Sequence, residues 1–265
     1  MIRVEGSILF ALLIAVTFAM PAYGRQKETG FLNRTVKVGA DSYRYQVYVP
    51  SGWTSRKKWP VILFLHGAGE RGDDGLLQTE VGVGTAIRRQ ADRVEAVVVF
   101  PQCSKNRWWP EPDMQKVALA ALDRAVREFN GDTNRVYLTG LSMGGYGTWA
   151  IARSNPGRFA AFAVICGGVN LPRRPGIPEN VGVSSASDPY RDVAEKVGKT
   201  PVWVFHGAAD TVVPVSESRK MVEALKAAGG DVRYSEYEGV GHNSWDRAYA
   251  ESEFFKWLLA HRLKK

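Results

Sequence analysis

Residues 136–147 read Val-Tyr-Leu-Thr-Gly-Leu-Ser-Met-Gly-Gly-Tyr-Gly, and few backbone arrangements can accommodate them. The apolar run 136–139 marks a buried strand. Gly140-Leu141-Ser142-Met143-Gly144 then fits G-x-S-x-G, the sharp turn that carries a nucleophilic serine out of a strand and into a helix. Such a turn holds its serine at sparsely populated backbone angles, at a cost of about 1–3 kcal/mol. Side chains two positions to either side would collide there, so glycines are required at 140 and 144. The helix expected over 143–153 aims its free N–H groups and positive dipole end at the serine. The pentapeptide alone is a weak signal; a strand before it and a helix after it make it specific.

A serine hydroxyl is a poor nucleophile until a base takes its proton, so a carboxylate and then a histidine should follow in the chain. The four histidines are His66, His206, His242 and His261. His261 falls in an expected terminal helix over 246–262. His242 sits in the Gly-rich stretch Gly239-Val240-Gly241-His242-Asn243 and is the candidate base. His206 closes the apolar run 201–205 and reads as a turn-shaping residue; it stands as the alternative base. Asp210, just past that run, is the candidate acid, with helix capping as its other reading. Asp231, Glu236 and Glu238 are its rivals, the first at the wrong end of the next strand and the others along or just after it.

The chemistry also needs donors for a developing oxyanion. The strongly apolar strand 61–65 ends in His66-Gly67-Ala68-Gly69-Glu70, where backbone N–H groups can face the substrate. Ala68 N–H and Met143 N–H are the candidate donors, each typically worth about 3 kcal/mol in the transition state. His66 precedes the serine and reads as an imidazole bracing this loop.

These segments, with Phe100-Pro101-Gln102-Cys103 and Gly241-His242-Asn243-Ser244-Trp245, resemble the serine esterases of the α/β-hydrolase superfamily, carboxylesterase/phospholipase type. The chain is similar to poly(3-hydroxybutyrate) depolymerases, feruloyl esterases and predicted peptidases. The resemblance implies an α/β fold, a mostly parallel central sheet with helices on both faces and little or no cap domain. It implies Ser142, Asp210 and His242 as a catalytic triad, the set reached from the residues themselves. It also implies a strand order that separates Cys103 from Cys166 by two strands, about 14 Å, which favours two free buried thiols over a disulfide. The connection 167–200 looks longer and richer in Pro and Gly than in similar chains, and is expected to be a partial lid or a mobile loop.

The function expected is that of a serine carboxylester hydrolase acting through an acyl-enzyme on small-molecule, polysaccharide-linked or polyester esters. A prolyl-oligopeptidase-type peptidase, a feruloyl or acetyl-xylan esterase, and a hydrolase-like binding protein without turnover are the alternatives. Trp108 and Trp109 could wall the cleft, or one could pack beneath the loop. Trp245 either faces the site or staples the terminal helix, and Glu70 is a further candidate for substrate contact. The chain has no H-E-x-x-H, no Cys/His metal spacing and no Gly-rich phosphate loop, so neither metal nor cofactor is expected.

The thirteen-residue apolar run 8–20 is too short to span a bilayer as a helix. With Arg3 before it and Ala22-Tyr23-Gly24 after it, residues 1–24 read as a signal peptide. An uncleaved anchor is the alternative. Residues 25–265 are then expected to form one catalytic domain, secreted or periplasmic. The net charge of +8 is dispersed, with no aromatic-basic motif, and so does not suggest nucleic acid.

Overall fold

Every residue of the strand over 59–65 is buried, which demands cover on both faces. The structure, a computed structural model, supplies that cover with a three-layer arrangement. It describes Ile2 and residues 28–171, 177 and 181–263. Apart from Ile2, the expected signal peptide lies outside the described residues, as does part of the expected lid.

The elements run β1 (Gly30–Val38), β2 (Asp41–Val49), β3 (Trp59–Leu65), α1 (Val83–Arg89), β4 (Val97–Pro101), α2 (Pro112–Glu128), β5 (Gly131–Leu141) and α3 (Met143–Ser154). They continue as β6 (Ala161–Ile165), α4 (Pro189–Val197), β7 (Val202–Gly207), α5 (Ser216–Ala227), β8 (Val232–Tyr237), α6 (Trp245–Ala250) and α7 (Phe254–Ala260). Eight strands form one sheet in the order β1-β2-β4-β3-β5-β6-β7-β8. β2 runs antiparallel to both of its neighbours, and β4, β3, β5, β6, β7 and β8 are mutually parallel. This is the α/β-hydrolase architecture.

Alternation along β3 divides the core in two. Val61, Leu63 and Leu65 join a cluster with buried residues of α2, α3, α4 and α5. Ile62 and Phe64 join a second cluster with α1, α6 and α7. The chain leaves β3 for β4 on one side and returns to β5 on the other, so the carboxyl ends of β3 and β5 flank a topological switch point. Open α/β sheets bind ligands at such a crevice.

Two local expectations need correction. The closing helix over 246–262 is two helices, broken at 251–253. Tyr249 and Phe254 both enter the same core cluster, their rings 4.9 Å apart. In an unbroken helix, positions five apart differ by about 140° and would not share a face. Pro189 does not loosen the 167–200 connection: it opens α4, with the Asp188 carboxylate accepting the Arg191 N–H at 3.1 Å as an N-cap.

Cys103 and Cys166 are both free and buried, at the ends of strands separated by β3 and β5.

Candidate active site

At the end of β5 the chain turns through Ser142 at φ 53°, ψ −119°, a conformation that L-residues rarely adopt. The turn is over-determined from all sides. Ser142 N–H donates to the Ile165 carbonyl at 3.0 Å. A Cβ on Gly140 would lie 2.3 Å from Gly144 O, and one on Gly144 2.0 Å from Leu65 O. Both glycines are therefore required by backbone contact. Met143 is the first residue of α3, so its N–H has no acceptor within the helix.

His242 reaches this turn from the loop after β8. Its Nε2 lies 2.9 Å from Ser142 Oγ, and its Nδ1 2.7 Å from Asp210 Oδ2. Asp210 itself is clamped, with Oδ1 accepting the N–H groups of Val212 at 2.8 Å and Val213 at 2.9 Å. Burial alone would raise the Asp210 carboxyl; contacts with His206, His242, Val213 and Val212 outweigh it and hold the group well below the usual carboxylate range. Gly207 lets the two loops meet, since a Cβ there would lie 2.2 Å from Gly241 O. Ser142, His242 and Asp210 thus form one hydrogen-bonded chain from three loops at the carboxyl edge of the sheet.

The rivals are engaged elsewhere. Glu236 is paired with the Arg219 guanidinium at 2.5 and 2.9 Å, which, with the Tyr234 hydroxyl, holds its carboxyl down to about 2. Asp231 lies at the opposite end of the sheet, where its carbonyl accepts the Val202 N–H, and Glu238 is exposed. His206 does not reach Ser142 in this arrangement. Its Nε2 stands 3.2 Å from Asp210 Oδ2, a contact the sequence reading missed although the i, i+4 spacing across a turn hinted at it.

His66 braces the loop after β3 in a specific way. Its Nε2 accepts the Cys103 N–H at 2.9 Å, so the ring proton sits on Nδ1, which donates to the Gly67 carbonyl at 2.6 Å. That carbonyl belongs to the same peptide as the Ala68 N–H, so its plane is pinned. Complete burial pushes the imidazole down to about 4. Gln102 supports the next turn, its Nε2 donating to the Glu70 carbonyl at 3.1 Å and its Oε1 accepting the Gly75 N–H at 2.7 Å. A Cβ built on Gly67 would lie 3.1 Å from Glu70 Oε2 and 3.8 Å from Ser142 Cβ, so Gly67 leaves room between the Glu70 carboxyl and the serine. Burial raises that carboxyl, and its Oε2 has no hydrogen-bond partner.

The tryptophans divide. Trp109 does not wall a cleft: it is fully buried, and its Nε1–H donates inward to the His66 carbonyl at 3.0 Å. It lies against α3, where a Cβ on Gly147 would come within 2.3 Å of Trp109 Cβ. Trp108 is 9% exposed and carries the Arg71 guanidinium 5.3 Å above its ring. Trp245 is half-buried and meets the His242 ring edge-on, with centroids 5.4 Å apart.

Cys166, Asp210 and His242 offer ligand atoms within 4.8 Å of one another, the one trio of this kind among the described residues. It fits a metal poorly. Asp210 and His242 already bond each other, and burial pushes the Cys166 thiol up to about 12, leaving it protonated.

Comparison with known proteins bears on this geometry. Residues 86–252 match the family model described as the dienelactone hydrolase family. The chain belongs to that family. A secreted protein of Arthroderma benhamiae is 28% identical over 224 residues, covering 75% of this chain and 23% of that protein. A bifunctional acetylxylan esterase/xylanase of Neocallimastix patriciarum is 31% identical over 171 residues, 63% of this chain and 21% of that one. This dienelactone hydrolase family member thus spans under a quarter of those two relatives. Among solved structures, a thermostable esterase is 34% identical with a TM-score of 0.74, covering 88% of this chain and 63% of that chain.

Proposed function

We propose that this protein is a serine carboxylester hydrolase. The observation that carries the proposal is the Ser142–His242–Asp210 relay, at 2.9 and 2.7 Å, on a strained serine turn. In this reading Ser142 Oγ attacks the ester carbonyl while His242 Nε2 takes its proton and later delivers it to the departing alkoxide. Asp210 holds the Nδ1–H tautomer and stabilises the imidazolium that forms. Ala68 N–H and Met143 N–H bind the oxyanion, the first from the peptide that His66 pins. Water, activated by the same imidazole, then resolves the acyl-enzyme.

Trp245, edge-on to the His242 ring, and Glu70, whose carboxyl neighbours Gly67, are the proposed substrate contacts. Trp108 contributes indirectly, by carrying Arg71, whose Nε donates to the Ala68 carbonyl at 3.0 Å. The acetylxylan esterase relative favours acyl groups on a polysaccharide as the natural substrate class, over peptides. Export belongs to the same reading: the apolar run 8–20 has the form of a signal-peptide core, and a secreted protein is among the relatives. Residues 25–265 then act as one catalytic domain.

The test uses purified protein with p-nitrophenyl acetate and a fluorophosphonate probe. Ser142→Ala should abolish both hydrolysis and labelling while the circular dichroism spectrum stays unchanged. Retained turnover in Ser142→Ala, or no labelling of the folded wild type, rejects the proposal.

A further inference from the structure

Asp210 meets more donors than the orientation of one imidazole requires. Beyond Val212, Val213 and His242, a second imidazole faces its Oδ2: His206 Nε2, 3.2 Å away, with both side chains fully buried. The surroundings fix the proton on His206. Nε2 faces two acceptors, the Val213 carbonyl at 3.0 Å and Asp210 Oδ2, so it carries the hydrogen. Nδ1 then accepts, and the Ser218 hydroxyl donates to it at 2.6 Å in preference to the Gly167 carbonyl, which is 3.5 Å away. His206 is the penultimate residue of β7, Val213 lies on the loop beyond, and Ser218 is on α5. One ring therefore ties strand, loop and helix together at the back of the carboxylate.

We propose that His206 is a positioning residue for the Asp210–His242 pair, its Nε2–H competing with His242 for Oδ2 and so limiting the negative charge offered to His242. This rests on the reading of Ser142, His242 and Asp210 as a hydrolytic triad. Two backbone N–H groups on Oδ1 stop the carboxylate from rotating, so the two imidazoles must share one oxygen. When His242 takes the serine proton, its bond to Oδ2 strengthens. A second donor on that oxygen tempers this gain. The other ionisable groups nearby do not replace this effect. Cys166 is a neutral thiol, and Glu236, opposite His206 on β8, is neutralised by Arg219.

The sign follows. Without the His206 donor, all of the Oδ2 charge is available to His242, its protonated form is favoured, and the acid limb of the rate profile moves to higher pH. A histidine that merely filled space would cost stability and leave the profile where it was.

His206→Phe keeps a ring and removes the donor; in His206→Gln the amide nitrogen reaches where Nε2 lies. We would measure kcat/KM for p-nitrophenyl acetate against pH, and the proton NMR resonance of the His242 Nδ1–H in these variants and in the same changes made on Ser142→Ala. In His206→Phe the acid limb should rise by about half a pH unit or more, and the resonance should shift; His206→Gln should restore most of both. Ser218→Ala, which keeps the ring but frees its tautomer, should move both in the same direction by less. An unmoved limb and an unmoved resonance in folded His206→Phe overturn the proposal; if that variant does not fold, the same result in Ser218→Ala does. If Ser142→Ala still hydrolyses the ester, the triad reading fails, while the resonance still decides what His206 does to Asp210 and His242.

Discussion

Gly144 and Leu65 touch backbone to backbone: a Cβ on Gly144 would lie 2.0 Å from the Leu65 carbonyl oxygen. The helix that follows the serine is thereby seated on the strand that feeds the loop bearing Ala68. The two proposed oxyanion donors, one from each element, owe their spacing to this contact.

Gly144→Ala should therefore be severe, losing about 3 kcal/mol or more, because the obstructing atom is backbone and cannot swing aside. Gly69→Ala in the same region should stay within about 0.5 kcal/mol of wild type, since nothing lies within 4 Å of the added methyl group. Urea unfolding of the two variants checks the contrast, and equal stabilities would refute the contact argument.

Asp210→Asn should lower kcat by about 10³–10⁴-fold with little change in KM. An amide cannot accept from Val212, Val213 and His242 at once. Either a donor is turned against the Val212 and Val213 N–H groups, or His242 is left in the wrong tautomer. Steady-state kinetics with a p-nitrophenyl ester reads the split between kcat and KM.

What could be read from sequence was local. The serine turn announces itself because its glycines answer to atoms within a few residues or on the neighbouring strand, and the buried strands announce themselves by composition. Trp108 and Trp109 are chemically identical neighbours, and their different burial depends on α3, where Gly147 leaves room for one of them. The His206–Asp210 contact depends on how tightly the loop after β7 turns, which residue types alone do not fix. The break in the closing helix follows from a demand that Tyr249 and Phe254 fill one cluster, a tertiary requirement that overrides a continuous helical stripe.

Trp109 and Trp245 should behave oppositely on truncation. Trp109→Ala removes a fully buried indole and its bond to the His66 carbonyl, and should cost about 3–5 kcal/mol. Trp245→Ala should cost less stability, because that ring is half-buried, but should impair turnover by loosening the His242 ring it abuts. Thermal unfolding and kcat/KM on both variants separate the two effects; a Trp109→Ala protein as stable as wild type would remove it from the core.

Acid should weaken the fold through His66. Its imidazole is held at about 4, below the 6.5 of an unconstrained histidine, because burial disfavours the charged form and Nε2 is already accepting the Cys103 N–H. Between those two values the unfolded chain binds a proton that the native state refuses, so the associated stability is intact above pH 6.5 and is lost as pH falls to about 4. The full loss is about 3 kcal/mol for a shift of this size. Urea midpoints measured from pH 7 to pH 4 should decline accordingly, and His66→Gln, with no ionisable ring, should flatten that decline while lowering stability at pH 7. Because His66 also pins the Gly67–Ala68 peptide, the same variant should lose ester hydrolysis at pH 7 even where it remains folded; a His66→Gln protein with wild-type kcat would show that the Ala68 N–H needs no such brace.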